Sequence, residues 1–507
     1  MRVVDAIATI LKREGIEFLF CYPTTPLIDA VAEVGIRPIV CRQERVGVGI
    51  ADGFTRMTAG RTPGVFAMQF GPGVENAIAG IATAFSDSVP LVLLPLGHPV
   101  TRAQVFPLFN SVRSLASLTK SVESIVAPDQ TIDVMRRAFA AVRGGRPGPA
   151  AVEIPIDLAS QSLTIDLADY RPVKGVRSQG DPLAVDRAVH ALIKASSPVI
   201  YAGQGVLYSD GCSELLELAE QLDVPVMTSL EGKGAFPETH PLSLGTGGPV
   251  MTGPIAHFLP RADLVLGIGC SFTRHIMSTL MPQRTTLIQA TNDPRDLNKS
   301  YWVEHPILGD AKLVLQQFLD CIRDRRDTQK ADIASRRGAA RRIEEVRSVW
   351  LQQWHQKLSS AETPITPYRV IADFMVATDP DKTVVTHDSG SPRDQLVPFY
   401  RTTKPHGYIG WGKSHALGTG LGLIMGAKLA EPTKFCVNFM GDAAFGMTGM
   451  DMETAVRERI PILTVVLKNS TMAIETETLV RSHELYGTRS VGGDYAGVAR
   501  ALGCWAD

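Results

Sequence analysis

Short apolar runs alternate with longer amphipathic stretches along most of the chain. The apolar runs lie at residues 18–20, 38–41, 64–68, 91–94, 150–154, 198–202, 224–228, 263–268, 286–289, 435–439 and 462–467. Such short runs, separated by helix-like patterns, are typical of parallel strands buried between layers of helices. We therefore predict an α/β fold of three doubly wound domains, each with a mostly parallel sheet.

Polar stretches divide these runs into groups. Residues 170–180 are polar and separate the first group of runs from the second. From residue 325 to about residue 357 the chain is dense in Arg, Lys, Glu and Gln, a composition typical of a solvated helical connector. The 507 residues also suit about three domains of roughly 150 residues each. We predict a first domain at residues 1–168, a second at residues 182–324, a charged helical linker at residues 325–362 and a third domain at residues 363–507.

The first and third domains repeat one plan. In each, a helix rich in small residues precedes a strand, a glycine turn, a second helix and a further strand. The glycine turn is Gly71-Pro-Gly in the first domain and Gly441-Asp-Ala in the third, and Pro90 and Pro461 open the strands that follow. Two copies of a βαβ-type unit are therefore expected on either side of a different middle domain.

Composition and charge exclude several classes of protein. Apolar residues make up 45% of the chain, charged residues 20%, and the formal net charge is −1, so no basic surface for nucleic acid is expected. The seven cysteines are scattered without a C-x-x-C pair, which favours reduced thiols over a disulfide framework. The amphipathic N-terminus has no secretion-signal pattern, and no apolar run approaches the roughly 20 residues that span a membrane. We expect a soluble, cytoplasmic protein.

Oxygen-bearing side chains follow two apolar runs of the third domain. Asp442 comes directly after one run, and Asn469 comes shortly after the next. Because the carboxyl ends of adjacent parallel strands meet at one edge of a sheet, both side chains are expected there. The N–H groups of the helix that begins after Gly441 favour a diphosphate. A carboxylate, an amide oxygen and a backbone carbonyl, completed by phosphate oxygens and water, suit Mg²⁺ rather than zinc or iron.

The segment from Gly441 to Asn469 resembles the thiamine diphosphate motif of the acetolactate synthase, benzoylformate decarboxylase and pyruvate decarboxylase superfamily. That motif begins Gly-Asp-Gly and ends Asn-Asn, whereas this chain has Ala443 for the second glycine and Lys468 for the first asparagine. The run from Gly441 to Thr454 is most similar to acetolactate synthase-like and oxalyl-CoA decarboxylase members. The resemblance implies metal ligation by Asp442, Asn469 and the carbonyl of Thr471, and cofactor contacts at Thr25, Gly390, Leu417, Gly441, Ala443 and Ala444.

A second motif lies in the first domain. Arg42-Gln-Glu44, followed by Gly49-Ile-Ala-Asp-Gly-Phe-Thr-Arg, resembles the family's His-Glu and Gly-Tyr-Ala-Arg segments. The resemblance implies that Glu44 is the carboxylic acid that activates the aminopyrimidine of the cofactor by sharing a proton with it. The alternative is that Glu44 only pairs with Arg42 or Arg45 at the start of a helix.

The resemblance covers all three domains, which it identifies as pyrimidine-binding, central Rossmann-like and diphosphate-binding. The central domain carries FAD or ADP in some members, but its Gly-rich turns at residues 203–205 and 232–234 are interpreted here as structural, so neither nucleotide is supported. In this family the cofactor lies between the first domain of one chain and the third domain of another, which implies a homodimer or homotetramer. Family members also continue beyond the position of Gly503 through another strand and helix, so we expect the third domain to be truncated.

The reaction depends on residues around the cofactor. Besides Glu44, the catalytic candidates are Gln69, His98, His415 and Glu475. Gln69 stands where benzoylformate decarboxylase has a catalytic histidine, and Glu475 matches a catalytic glutamate of pyruvate decarboxylase. His415 replaces a glycine usual in the family, and its side chain either serves catalysis or packs. Pro107 replaces the glutamine of a Phe-Gln pair found in acetolactate synthases.

We expect a thiamine diphosphate- and Mg²⁺-dependent decarboxylase or carboligase that acts on a small 2-oxo acid and is acetolactate synthase-like in architecture. The nearest alternative is an oxalyl-CoA decarboxylase or 2-hydroxyacyl-CoA lyase, which would take an acyl-CoA substrate. An alternative of another class is a cofactor-binding homologue without catalytic activity. Intact Glu44, Asp442 and Asn469 argue against that last alternative.

Overall fold

The computed structural model describes residues 1–103, 105–164, 166–168, 170–324 and 338–507. These residues divide into two compact units. The first unit comprises Met1–Val176, Thr386–Ser391 and Lys413–Asp507, and the second comprises Arg177–Val385 and Pro392–Gly412. The domain boundaries inferred from the sequence remain a prediction. Of the predicted linker, residues 325–337 lie outside the described residues.

The first unit begins with a six-stranded sheet and its helices. The strands are β1 (Phe18–Cys21), β2 (Arg37–Val40), β3 (Gly64–Met68), β4 (Leu91–Gly97), β5 (Ser121–Ser124) and β6 (Ala150–Pro155). The helices are α1 (Val3–Arg13), α2 (Leu27–Glu33), α3 (Glu44–Met57), α4 (Pro72–Ser86), α5 (Ser111–Leu115), α6 (Thr131–Arg143) and α7 (Ile156–Ala159). The strands pair in parallel in the order β2-β1-β3-β4-β6-β5. All residues of β3 and β4 are buried, which explains their unbroken apolar runs.

The second unit contains another parallel sheet. Its strands are β7 (Pro198–Ala202), β8 (Val226–Thr228), β9 (Ser243–Thr246), β10 (Leu264–Ile268), β11 (Thr286–Thr291) and β12 (His305–Leu308). They pair in the order β12-β11-β10-β7-β8-β9. The helices of this part of the chain are α8 (Pro182–Lys194), α9 (Gln204–Ser209), α10 (Cys212–Leu222), α11 (Gly253–Phe258), α12 (Ala311–Asp324), α13 (Ala339–Leu358), α14 (Pro367–Ala377) and α15 (Ser391–Leu396). Helix α13 lies in the stretch predicted to be a helical connector.

A third sheet has four strands, β13 (Thr383–His387), β14 (Tyr408–Ile409), β15 (Phe435–Gly441) and β16 (Leu463–Leu467), in the order β14-β13-β15-β16. The remaining helices are α16 (Thr419–Ala430), α17 (Asp442–Thr448), α18 (Met452–Arg457), α19 (Val480–Tyr486) and α20 (Tyr495–Ala501). Strands β15 and β16 pair in parallel, as β3 and β4 do. The predicted α/β fold with three mostly parallel sheets is therefore confirmed, and so is the repeated strand-turn-helix-strand plan.

Glycines allow α3 and α16 to cross in close contact within the first unit. A Cβ atom at Gly53 would lie 2.0 Å from the carbonyl oxygen of Leu423, and one at Gly426 would lie 2.0 Å from that of Ile50. No side chain fits at such separations, so both helices need glycine at the crossing. This crossing explains the small residues of the two helices and fixes the start of α3, which carries Glu44.

Two further properties bear on the protein class. All seven cysteines are free, in agreement with the prediction that they form no disulfide framework. Among the helices of the described residues, none is both long enough and apolar enough to span a bilayer.

Candidate functional site

The first-domain candidates lie at the carboxyl edge of the first sheet. Thr25 follows β1, Glu44 follows β2, Gln69 follows β3 and His98 follows β4. These four strands are neighbours in a parallel sheet, so their carboxyl ends open on one side, where α/β proteins bind ligands. Thr25 is buried and accepts a hydrogen bond at 3.3 Å from the N–H of Leu27.

His98 lies beside an aromatic ring at the same edge. The centroids of the His98 and Phe70 rings are 4.9 Å apart, with a tilt of 48° between the ring planes. Phe70 directly follows Gln69, so the end of β3 and the end of β4 are joined by this ring contact. The contact orients the imidazole of His98 at the edge of the sheet.

Glu44 lies in the wall of a cavity of about 540 Å³. The cavity is lined by Tyr22, Arg42, Gln43, Glu44, Gln69, Pro72, Asn76, Met447, Thr448, Met450 and Asp451. Glu44 is 5% exposed and Gln69 is half-buried. The structure thus brings two of the predicted catalytic residues, Glu44 and Gln69, to one cavity that is large enough for part of a cofactor.

The environment of Glu44 favours the protonated form of its carboxyl group. Burial raises the pKa of Glu44, while its own backbone N–H and the side chain of Asn76 oppose the rise through hydrogen bonds. Arg42 lies 3.5 Å from Glu453, and Arg45 donates a hydrogen bond to the carbonyl oxygen of Leu417. In the described part of the chain no ion pair joins Glu44 to either arginine, so the alternative role as a helix-start ion pair is not seen.

Asp442 is the centre of a second group of predicted site residues, which we call the Asp442 cluster (Asp442, Asn469 and Thr471). Asp442 is 2% exposed and begins α17 directly after β15. Its Oδ2 atom accepts a hydrogen bond at 2.7 Å from the N–H of Ser470, and its Oδ1 atom accepts one at 3.0 Å from the N–H of Ala443. Because Gly441 and Leu467 are paired across the two strands, Asp442 and Asn469 lie at one edge of the sheet, as predicted.

The donor atoms of the Asp442 cluster are hard oxygens. The side-chain oxygen of Asn469 accepts a hydrogen bond at 3.1 Å from the N–H of Thr471, which folds the two residues into one turn. In the part of the chain that the structure describes, no group of three or more His, Cys, Asp or Glu side chains could hold a metal. A lone carboxylate with amide and carbonyl oxygens fits a Mg²⁺ ion that takes its remaining ligands from phosphate and water. The cluster therefore fits a metal bound together with a diphosphate.

The glycine turn after β13 leaves room for a bound group. Gly390 has φ +89°, and a Cβ atom built there would have no atom of the described residues within 4 Å. Ala443 and Ala444 lie in the first turn of α17, next to Gly441, and Ala444 is buried. The open turn and the start of α17 belong to the first unit and suit the diphosphate end of a cofactor.

The segment before α16 carries Leu417 and His415. Leu417 is half-buried, and the side chain of His415 is exposed. The backbone of His415 is left-handed, with φ +43°, a conformation that favours glycine. Glycine, which the resemblance makes usual at this position, adopts such a conformation without the steric penalty of a Cβ atom. The Nδ1 atom of His415 lies 3.4 Å from the carbonyl oxygen of Lys413.

The predicted residues form two groups in this chain. Glu475 ends a short 3₁₀ turn, Ala473–Glu475, beyond the Asp442 cluster and is half-buried. None of the residues that line the Glu44 cavity is Asp442, Asn469 or Leu417. Among the described residues, the wall of the Glu44 cavity is formed from the first domain and from residues 447–451, which follow the Asp442 cluster's helix start in the sequence.

Sequence reasoning missed Asp451, an acid in the wall of the same cavity as Glu44. Asp451 is 1% exposed, and its Oδ1 atom accepts hydrogen bonds from the N–H of Arg42 at 2.8 Å and from the Thr454 hydroxyl at 2.9 Å. Burial raises the pKa of Asp451 to about 6. Its position within the run from Gly441 to Thr454, already identified as a motif, was the available signal.

Sequence reasoning also missed Asp388, which precedes Gly390. Asp388 is fully buried, and its carboxylate accepts hydrogen bonds from the N–H groups of Ser389 at 2.8 Å, Gly418 at 2.8 Å and Gly420 at 2.9 Å. Burial raises the pKa of Asp388 to about 6, against these hydrogen bonds and the nearby positive charge of Arg45. An aspartate directly after a buried strand was the signal that could have found it.

The Gly-rich turn of the central domain has a structural explanation. A Cβ atom at Gly203 would lie 2.3 Å from the carbonyl oxygen of Gly269, and one at Gly205 would lie 2.8 Å from the Cα atom of Gly269. Both glycines are needed for this close packing. The packing gives residues 203–205 a structural role as a tight turn against Gly269.

Comparisons with known proteins match all three domains. Residues 1–118 match the model of the thiamine pyrophosphate enzyme N-terminal TPP binding domain, residues 185–318 that of the central domain, and residues 388–506 that of the C-terminal TPP binding domain. Thiamine pyrophosphate is another name for thiamine diphosphate.

Individual relatives span most of the chain. A probable acetolactate synthase large subunit of Methanocaldococcus jannaschii is 30% identical over 496 residues, which cover 94% of this chain and 81% of the relative. The acetolactate synthase isozyme 3 large subunit of Escherichia coli K12 is 30% identical over 488 residues, which cover 92% of this chain and 82% of the relative. On this identity and on its three matched domains, the chain belongs to the thiamine pyrophosphate enzyme family.

Proposed function

We propose that this protein is a thiamine diphosphate- and Mg²⁺-dependent enzyme that decarboxylates a 2-oxo acid or joins two such acids. Its similarity to proteins named acetolactate synthase large subunits supports this reaction class. The observation that carries the proposal is the buried carboxyl group of Glu44 in the wall of a cavity of about 540 Å³. Burial raises the pKa of Glu44, so its carboxyl group holds a proton more readily than an exposed glutamate does, which favours the proton sharing that activation of the cofactor requires.

Each group of residues has a task in this proposal. When bound, thiamine diphosphate supplies a nucleophilic carbon and an electron sink for the loss of CO₂. Glu44 holds the proton shared with the pyrimidine ring, and Asn76 lies in the same cavity wall. Asp442, Asn469 and the carbonyl of Thr471 would hold Mg²⁺, and the N–H groups at the start of α17 would bind the diphosphate.

Substrate contacts are assigned to side chains at the two sheet edges. Gln69 lies beside Glu44 in the cavity wall, so its amide can donate to a substrate carboxylate. His98 lies at the end of the neighbouring strand, and Glu475 lies beyond the Asp442 cluster. We propose that these three residues surround the 2-oxo acid.

The separation of the two groups of residues supports a site shared between chains. Among the described residues that line the Glu44 cavity, none belongs to the Asp442 cluster, although this proposal assigns both to one cofactor. A second copy of the chain could present its Asp442 cluster to the Glu44 of the first. We therefore propose a homodimer or homotetramer, located in the cytoplasm, where free cysteines persist.

The proposal is tested with the purified protein, thiamine diphosphate, Mg²⁺ and a panel of 2-oxo acids and oxalyl-CoA. CO₂ release and products are followed by NMR. We expect cofactor-dependent release from a 2-oxo acid, reduced at least about 100-fold by Glu44→Gln. Glu33→Gln makes the same chemical change at an exposed position of α2 and should leave turnover unchanged.

Other outcomes identify the alternatives. Turnover of oxalyl-CoA alone would point to the acyl-CoA enzymes, and a product with a new carbon–carbon bond would distinguish carboligation from simple decarboxylation. Cofactor binding without turnover of any substrate would favour a non-catalytic homologue. Equal turnover by wild type and Glu44→Gln would overturn the assigned role of Glu44.

A further inference from the structure

Arg45 directly follows Glu44 in the chain but contacts a different part of the first unit. Its guanidinium group donates a hydrogen bond at 2.5 Å to the carbonyl oxygen of Leu417, a residue 372 positions away. Successive residues of a helix point about 100° apart, so Glu44 can face the cavity while Arg45 reaches another segment. The first turn of α3 therefore contributes Glu44 to the cavity wall and Arg45 to the contact with Leu417.

The segment that contains Leu417 is also held by hydrogen bonds to Asp388 and Thr448. The N–H groups of Gly418 and Gly420 donate to the two carboxylate oxygens of Asp388 at 2.8 and 2.9 Å. The carbonyl oxygen of Gly418 accepts a hydrogen bond at 3.2 Å from the hydroxyl of Thr448. Residues 413–418 precede α16 and lie in no helix or strand, so these side-chain contacts hold the segment.

The beginning of this segment is held from the first domain as well. The N–H of Lys413 donates to the Oδ1 atom of Asp87 at 3.2 Å. Asp87 is fully buried and forms an ion pair at 3.0 Å with Arg56, which is itself paired with Asp52 at 2.5 Å. Two side chains of the first domain, Arg45 and Asp87, therefore fix both ends of residues 413–417.

We infer that Arg45 is a positioning residue, which holds the backbone of residues 413–418 so that Leu417 and His415 are correctly placed for the cofactor. This inference rests on the proposed function, because it assigns Leu417 to the cofactor site. In this proposal Arg45 acts through the Leu417 carbonyl, and its positive charge also lies near Asp388, which binds the N–H groups of Gly418 and Gly420. A guanidinium group suits this task because it keeps its charge and presents its donors in a fixed plane.

A second consequence follows for an enzyme whose sites lie between two chains. Glu44 would then act in one site, while Leu417 of the same chain would act in the other. Because Glu44 and Arg45 share one helical turn, a shift of that turn would reach both sites. Because Leu417 is assigned to the cofactor, loss of the Arg45 contact should weaken cofactor binding more than substrate binding.

The test compares Arg45→Met, Arg45→Lys and wild type, with Arg136→Met as the matched control. Methionine keeps an unbranched chain but removes the charge and the donors, whereas lysine keeps the charge and one donor position. Arg136 is an exposed arginine whose ion pair with Asp133 lies at the surface, so its replacement should change nothing measured here. Hydrogen exchange is followed by mass spectrometry on the cofactor-free protein, and thiamine diphosphate affinity is measured by fluorescence quenching at saturating Mg²⁺.

We expect exchange in residues 413–418 to be at least about tenfold faster in Arg45→Met, with unchanged exchange in β3 and β4. The dissociation constant for thiamine diphosphate should rise at least about tenfold, while KM for the 2-oxo acid at saturating cofactor changes less than about threefold. Arg45→Lys should recover part of both effects.

Unchanged exchange in residues 413–418 together with unchanged cofactor affinity would overturn the inference. If Arg45→Met speeds exchange throughout the first unit, that variant disturbs the whole fold, and Arg45→Lys is used in its place. A uniform increase of exchange in Arg45→Lys would also overturn the inference. Failure of the proposed function gives a different result, because wild type would then show no turnover. The exchange and affinity measurements would still test whether Arg45 positions residues 413–418.

Discussion

The carboxylate of Asp442 accepts a 2.7 Å hydrogen bond from the backbone N–H of Ser470. Ser470 has a left-handed backbone, with φ +56°, and lies between Asn469 and Thr471. The acid that is assigned to the metal therefore also holds the turn that carries the other two proposed ligands. Metal binding and the shape of this turn depend on the same side chain.

Asp442→Asn is expected to weaken Mg²⁺ binding. Asparagine removes the negative charge and leaves one oxygen to accept a hydrogen bond, so both the metal and the turn at Ser470 lose support. We expect the Mg²⁺ concentration for half-maximal activity to rise at least about tenfold. Titration of the cofactor-saturated enzyme with Mg²⁺ measures this, and Asp133→Asn, at an exposed site, is the control. An unchanged midpoint would remove Asp442 from the metal site.

The His415→Gly variant is expected to be more stable than the His415→Ala variant. Alanine keeps the Cβ atom that the left-handed backbone at φ +43° disfavours, whereas glycine adopts this conformation without that penalty. We expect His415→Gly to exceed His415→Ala in stability by about 1 kcal/mol. Thermal unfolding of the two variants checks the difference, and equal midpoints would contradict it. Equal loss of turnover in both variants, with the fold retained, would show that the imidazole takes part in catalysis.

Gly53→Ala tests the crossing of α3 and α16. The added Cβ atom would lie 2.0 Å from the carbonyl oxygen of Leu423, so the helices must separate or bend. We expect a loss of about 1 to 3 kcal/mol in stability, measured by chemical denaturation of the first unit. Gly446→Ala in α17 places its Cβ atom 3.6 Å from the Tyr495 hydroxyl and should be neutral or slightly stabilising. Similar behaviour of the two variants would argue against the close crossing.

Asp388→Asn is expected to change how stability depends on pH. Burial raises the pKa of Asp388 from 3.8 to about 6, so the folded protein binds this proton more tightly than the unfolded chain does. The resulting stabilisation is complete below pH 4 and is lost as pH rises through 6. The stability of wild type relative to Asp388→Asn should therefore fall by roughly 3 kcal/mol over this range. Thermal unfolding of both proteins between pH 4 and pH 7 tests this, and a difference that grows with pH would contradict it.

Local patterns of the sequence determined the fold class and identified Glu44, Asp442 and Asn469 as candidate site residues. The apolar runs predicted parallel strands because a strand covered on both faces needs apolar residues at successive positions, as β3 and β4 show. The proximity of Asp442 and Asn469 was also predictable, because neighbouring parallel strands end at the same edge of a sheet. The family motif indicated Glu44 before its burial was known.

Only the tertiary structure decided how these parts are joined. The contacts of Arg45 with Leu417 and of Asp451 with Arg42 connect residues that are hundreds of positions apart. The left-handed backbone of His415 and the cavity that joins Glu44 to Asp451 also come from packing. Periodicity and motif spacing describe one segment at a time, whereas these contacts depend on how distant segments meet within the first unit.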